Sequence, residues 1–242
     1  MFHSVCLEGI SIFEQLQLEE ALFRADTRSW CLWNRGVSPA IVLGISSQAE
    51  ETLHLSKLEE APIPVYRRFT GGGTVFVDPN TLFITWISDT NTLGIPPFPE
   101  AILQWSAALF RPLFPQNSFA LLENDYVLKQ KKWGGNALSI ARQRWVHHCS
   151  LLWDFEENHM EYLQIPKKAP LYRQKRAHSH FLCRLKEYWE TPDLFFTAFL
   201  QELQKSVSLQ PTSLQYALEL IQQPHRKTNL QLHPPVSSYP PR

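Results

Sequence analysis

An excess of charge of either sign is absent from this 242-residue sequence: 23 Lys and Arg stand against 23 Asp and Glu. No global field therefore steers the chain toward nucleic acid or a membrane surface, and any charge-driven site must be local. Cysteine is sparse. Cys6, Cys31, Cys149 and Cys183 include no CxxC pair, which is poor spacing for a disulfide framework or a zinc ribbon, and they read as reduced thiols. Two clusters, His147-His148-Cys149 and His178-x-His180-x-x-Cys183, assemble ligand-type side chains, but zinc needs three or four such groups converging in a tetrahedron. Long apolar runs are also missing. Uncharged stretches such as Gly36 to Ala49 are broken by Ser, Pro or Gln and fall short of the roughly 18 residues a span requires, so no transmembrane helix is expected. The start, Met1-Phe2-His3-Ser4, lacks a basic stretch followed by an apolar block, so a cytoplasmic address is the expectation.

What is present suffices for one large core: 44% hydrophobic residues, with 15 Phe, 8 Trp and 7 Tyr. Period and punctuation predict the elements. Ser11-Ile12-Phe13-Glu14 is a capping box opening a helix to about Ala25. Trp30 to Trp33, Ile41 to Leu43, Val65 to Phe69, Val75 to Val77, Leu82 to Ile87 and Val146 to Phe155 read as strands. Helices are expected over Pro99 to Phe110, after Thr191-Pro192-Asp193, and over Ser213 to Gln223. The last 19 residues hold five prolines, which predicts a loosely attached tail, 224–242, after a single domain, 1–223. Charge is uneven along the chain. Lys129 to Arg144 carry five bases and no acid, and Lys167 to Lys186 carry seven bases and no acid; a solvated face is the bland reading of each.

Chemistry concentrates in three stretches. In Arg67-Arg68-Phe69-Thr70-Gly71-Gly72-Gly73-Thr74-Val75-Phe76-Val77-Asp78, three successive glycines let a ligand lie against bare amides, and two arginines supply fixed positive charge. No Lys-Ser or Lys-Thr follows at Walker A spacing, and no helix pattern follows to make a Rossmann turn. A tight hairpin is the structural alternative. In Lys131-Lys132-Trp133-Gly134-Gly135-Asn136-Ala137, cations approach what reads as a second glycine turn, from which a lysine can reach a phosphate or a developing oxyanion. The third stretch, His147-His148-Cys149-Ser150, opens the strand Leu151-Leu152-Trp153-Asp154.

In this order and spacing the three stretches resemble the signature of the lipoate-protein ligase A family, which belongs with the biotin ligases. RRFTGGGTVFVD resembles its glycine loop, and KKWGGNA followed by HHCSLLWDF resembles its lysine motif and following strand. The opening helix, CLWN, IVLG and Glu123-Asn124-Asp125 extend the likeness over about residues 8 to 190. The resemblance implies an α/β (α+β) fold: one domain with a mixed, largely antiparallel sheet and helices packed on one face. It also implies ATP-driven conversion of lipoate or octanoate to an acyl-adenylate, with the acyl group then passed to a lysine of a carrier domain. Carriers of that class are the lipoyl domains of 2-oxoacid dehydrogenase complexes and the glycine cleavage H protein.

By the same resemblance, Lys132 is the catalytic lysine, with Lys131 as its register rival. Arg68 and Arg67 would hold lipoate or phosphate oxygens, and the amides of Gly71, Gly72 and Gly73 would face the ligand. Thr74, Val75 and Phe76 would line the adenylate, with Gly135, Asn136 and His148 beside it. Asn124 and Asp125 would meet the nucleotide or Mg2+, and Trp33 and Phe76 would flank a lipoyl tunnel. Val77-Asp78 and His148-Cys149-Ser150 depart from the family's commoner His-Asp and His-Gly-Thr. Only about fifty residues follow Glu190, where the family's ligases usually carry an accessory domain, so a separate accessory protein or a chain limited to transfer enters as an expectation. Two rival readings stand: an octanoyl or lipoyl transferase using Cys149 as nucleophile, and a non-catalytic lipoyl-domain binder.

Overall fold

The structure, a computed structural model, describes residues 1–166 and 169–232. Among these, twelve strands form: β1 (Phe2–Cys6), β2 (Ser29–Asn34), β3 (Ala40–Leu43), β4 (Val65–Arg67), β5 (Val75–Val77), β6 (Thr81–Asp89), β7 (Phe119–Leu122), β8 (Asp125–Leu128), β9 (Lys131–Ala141), β10 (Arg144–Leu152), β11 (Leu209–Pro211) and β12 (Leu230–Leu232). Eight make a sheet in the order β11-β1-β2-β6-β10-β9-β8-β7, and four make a second, β12-β4-β3-β5. In the large sheet β1 runs parallel to β11 and β2, and the other pairings are antiparallel. The mixed, largely antiparallel α/β fold is therefore as expected.

Helices cover both faces of the large sheet, which corrects the one-face expectation. Side chains alternate along β6, and each row carries buried apolar residues. Ile84 and Trp86 meet Ile102 and Phe110 of the helix Pro99–Phe110 and Phe195 and Phe199 of the helix Pro192–Gln204. Ile87 faces the other way, onto Leu18, Leu22 and Phe23 of the helix Ile12–Ala25. That helix starts at the expected box: Ser11 Oγ accepts from Glu14 N at 3.2 Å, and Glu14 Oε2 accepts from Ser11 N at 2.9 Å.

Two other expectations are corrected. β4 and β5 lie on opposite sides of β3, so the glycine loop crosses between them and closes no hairpin. The segment after Gln223 is not loose as far as Leu232. The buried Glu20 carboxylate accepts from Thr228 N at 2.9 Å and Asn229 Nδ2 at 2.9 Å, and β12 then pairs antiparallel with β4. Satisfying a buried carboxylate with several donors anchors that segment more firmly than its composition suggests. The rest of the proline-rich tail, 233–242, lies outside the described residues, as do Lys167 and Lys168 of the basic run. No described helix is long and apolar enough to cross a membrane.

Candidate functional site

The glycine loop is stitched directly onto β9. Gly71 N donates to Leu138 O at 2.9 Å, forming an antiparallel bridge between residues far apart in the chain. Gly72 has φ +126°, and a Cβ there would sit 3.0 Å from Asn136 O and 2.7 Å from an Arg68 guanidinium nitrogen. Only glycine fits this crossing. The loop and the lysine stretch thus lie side by side.

Arg68 is buried and spent on the loop itself. Its Nη2 donates to Gly73 O at 2.8 Å, and burial lowers its pKa to about 10. Arg67 is buried too and donates to Ser47 O at 3.2 Å; it does not line the cavity described below. Arg68 thus braces the loop from the cavity wall, while Arg67 bonds the turn after β3 and lies outside the cavity's lining, which corrects its expected place among the residues that hold ligand oxygens.

The second glycine pair is no turn: Gly134 and Gly135 lie within β9. Glycine leaves room for neighbours here, since a Cβ at Gly134 would approach Leu151 Cδ2 to 2.9 Å and one at Gly135 would approach Lys132 Nζ to 3.3 Å. Strand alternation resolves the register. Lys131 is exposed, whereas Lys132 Nζ is 2.8 Å from Asp125 Oδ1. Asp125 Oδ2 accepts from the Tyr172 hydroxyl at 2.8 Å, and Glu123 Oε1 accepts from Leu171 N at 2.7 Å. Asn136 Nδ2 donates to Asn124 O at 2.9 Å. These bonds tie the turn before β8 to β9 and to the 170–173 segment.

Between the loop, β9 and residues 160–166 and 170–182 lies a cavity of about 580 Å³, within the usual size for a small-molecule site. Arg68, the 71–76 loop, Asn124, Asp125, Lys132, Gly135, Asn136 and His148 line it. Phe76 packs with Met160, Phe181 and Leu182 into an apolar wall. His148 Nδ1 is held by the buried Glu19 carboxylate at 2.8 Å. Trp33 does not line the cavity and packs against the core on the face covered by the helices Pro99–Phe110 and Pro192–Gln204, so its expected tunnel role is corrected. Sequence reasoning did not place Arg173, His178, Phe181 and Leu182 in the site, yet all four line the cavity. The basic run that contains them was the available signal.

Cys149 points away, into the core. It is fully buried and bonded to Asn136 Oδ1 at 3.1 Å and His147 Nε2 at 3.3 Å. Burial raises its thiol well above the ordinary range and lowers His147 to about 3, so both stay neutral at pH 7 and no thiolate forms. Among the described residues no three His, Cys, Asp or Glu side chains converge as a metal site.

Residues 11–207 match the family model for the lipoyl protein ligase A/B catalytic domain. A relative in Plasmodium falciparum, "Inactive lipoate--protein ligase 2", is 28% identical over 81% of this chain and 67% of its own length. The "Lipoate--protein ligase" of Streptococcus pyogenes serotype M5 is 28% identical over 67% of this chain, which spans 47% of that protein. In fold, the chain is similar to a lipoate-protein ligase A bound with ATP, with TM-score 0.73 and 15% identity over 91% of this chain and 92% of that one. It is also similar in fold to a chain from the structural analysis of the bipartite lipoate protein ligase and its E2 lipoyl domain from Thermoplasma acidophilum, with TM-score 0.72 and 16% identity over 91% and 89%.

Proposed function

The chain belongs to the lipoyl protein ligase A/B catalytic domain family, and from that premise we propose that it activates lipoate or octanoate with ATP and transfers the acyl group to a lysine of a lipoyl carrier domain. One observation carries this reading: the Lys132 ammonium and the Gly71–Gly73 backbone open into the same cavity, which also has an apolar wall. A carboxylate is a poor acyl donor, and ATP converts it to a mixed anhydride with AMP. Lys132 stabilises the negative charge that builds on the α-phosphoryl group as pyrophosphate leaves, and later on the acyl carbonyl as the carrier amine attacks. The 71–76 loop lies along the ligand. Thr74 Oγ1, buried and without a partner among the described residues, is free to bond it. The wall of Phe76, Phe181 and Leu182 takes the acyl chain and excludes water from the anhydride.

Magnesium accompanies ATP as an activator. Such an ion keeps most of its waters and phosphate ligands and needs one or two protein carboxylates; Asp125, with Asn124 beside it, would supply one through the lone pairs left beyond its bonds to Lys132 and Tyr172. The carriers in view are the lipoyl domains of 2-oxoacid dehydrogenase complexes or the glycine cleavage H protein, in line with the E2 lipoyl domain that belongs to the Thermoplasma ligase system. The neutral, enclosed Cys149 counts against a thioester route. Incubating the chain with ATP, lipoate and an apo lipoyl domain tests the reading. Pyrophosphate release with a lipoyl mass gain on the carrier lysine is expected, and transfer that ignores ATP contradicts it.

A further inference from the structure

The short helices between Pro166 and Leu182 bring one more cation to the cavity. Arg173 lines it and is only 3% exposed. Its Nε donates to Arg176 O at 3.0 Å, and its guanidinium lies 4.6 Å from the Phe181 ring centroid. Nη2 is buried with no hydrogen-bond partner among the described residues. Both acids on this wall are already engaged: Glu123 with the amides of Leu171 and Tyr172, and Asp125 with Lys132 and Tyr172. His178 adds no charge at neutral pH, because burial, then Arg173 and Lys132, lower it to about 4. Three cations thus line the cavity and differ in their partners: Lys132 has a carboxylate, Arg68 Nη2 has a carbonyl of its own loop, and Arg173 Nη2 has none among the described residues. A guanidinium nitrogen, Nη2, left without an acceptor in a low-dielectric site calls for an anionic oxygen.

We propose that Arg173 is a phosphate-binding residue of this site, holding the non-bridging oxygen of the adenylate's phosphoryl group that Lys132 leaves open. The proposal rests on the adenylate reading above. It assigns the charge on the phosphate to two side chains from distant segments: Lys132 on β9 as a point charge, and Arg173 on the 171–173 turn as a planar fork.

Isothermal titration of the full chain with two probes decides it. One is a lipoyl-adenylate analogue whose acyl carbonyl is replaced by methylene, which keeps the phosphodiester and cannot transfer; the other is lipoate. Arg173→Gln is expected to weaken analogue binding by about 10- to 100-fold, the scale of one charge-assisted hydrogen bond, while lipoate affinity stays within about twofold. Arg173→Lys keeps the charge but not the fork. It is expected to cost about 3- to 10-fold for the analogue alone, and it decides the matter if the glutamine variant fails to fold. Wild-type binding of the analogue with both variants unchanged overturns the Arg173 assignment and leaves the adenylate reading standing. Lipoate affinity falling in step with analogue affinity makes Arg173 a structural wall or a carboxylate site and overturns it too. Wild-type protein that binds neither probe overturns the adenylate reading and the assignment with it.

Discussion

The Lys132 ammonium lies 2.8 Å from Asp125 Oδ1 across the neighbouring strands β9 and β8, over a glycine, Gly135, whose missing side chain gives it room. Asp125 is itself fixed by the Tyr172 hydroxyl at 2.8 Å. The carboxylate therefore orients the lysine, and the tyrosine orients the carboxylate. Asp125→Ala is expected to lower the single-turnover rate of adenylate formation by about 10- to 100-fold by freeing the ammonium. Tyr172→Phe, which leaves the ion pair, is expected to cost no more than about fivefold. Stopped-flow measurement of pyrophosphate release ranks the two.

Adjacent glycines of the loop differ in what they tolerate. Gly72 has φ +126° and no space for a Cβ, whereas Gly73 has nothing within 4 Å of one. Gly72→Ala is expected to destabilise the fold by about 1–3 kcal/mol and to abolish tight lipoate binding. Gly73→Ala is expected to leave stability within about 0.5 kcal/mol. Denaturant titration with parallel lipoate binding reads both, and equal tolerance contradicts the packing of loop on β9.

Much of this site is legible in the residues, and the remainder is hidden for physical reasons. The capping box at Ser11, the triple glycine and the lysine motif are local signals, and each is where it was expected. Gly134-Gly135 was misread because glycine marks a turn in sequence, while here it relieves contacts with Leu151 and Lys132 inside a strand. Arg68 reads as a ligand residue by charge, yet its partners are carbonyls of its own loop, a pairing that exists only once the loop has crossed β3. Three-residue strands such as β12 carry no period to read, and their anchor, Glu20, is about two hundred residues away in sequence.

Acid should weaken the fold through His147. In the folded chain this residue is held neutral down to about pH 3 by burial and by His148, whereas in the unfolded chain it takes up a proton near pH 6.5. The unfolded state therefore binds more protons below that value, and stability falls as pH drops from about 6.5 toward 3, with no slope from this group above it. Its share is up to about 1.4 kcal/mol per pH unit. Urea denaturation at pH 7.5, 6.5 and 5.5 is expected to show a decline between the last two that is smaller in His147→Gln. An identical decline in the variant contradicts the assignment.

In the proposed chemistry Lys132 stabilises the charge that builds at the phosphoryl group and the acyl carbonyl, and Cys149 takes no part. Lipoylation of an apo lipoyl domain, measured with ATP and lipoate and again with preformed lipoyl-adenylate, separates the two on the same preparations. Lys132→Ala is expected to slow both reactions by about 100- to 1000-fold, the usual cost of removing one charge-stabilising donor. Cys149→Ala, a substitution within the core, is expected to leave both within about threefold of wild type. Loss of transfer in Cys149→Ala with Lys132→Ala near wild type would mean a thioester route and would contradict the account.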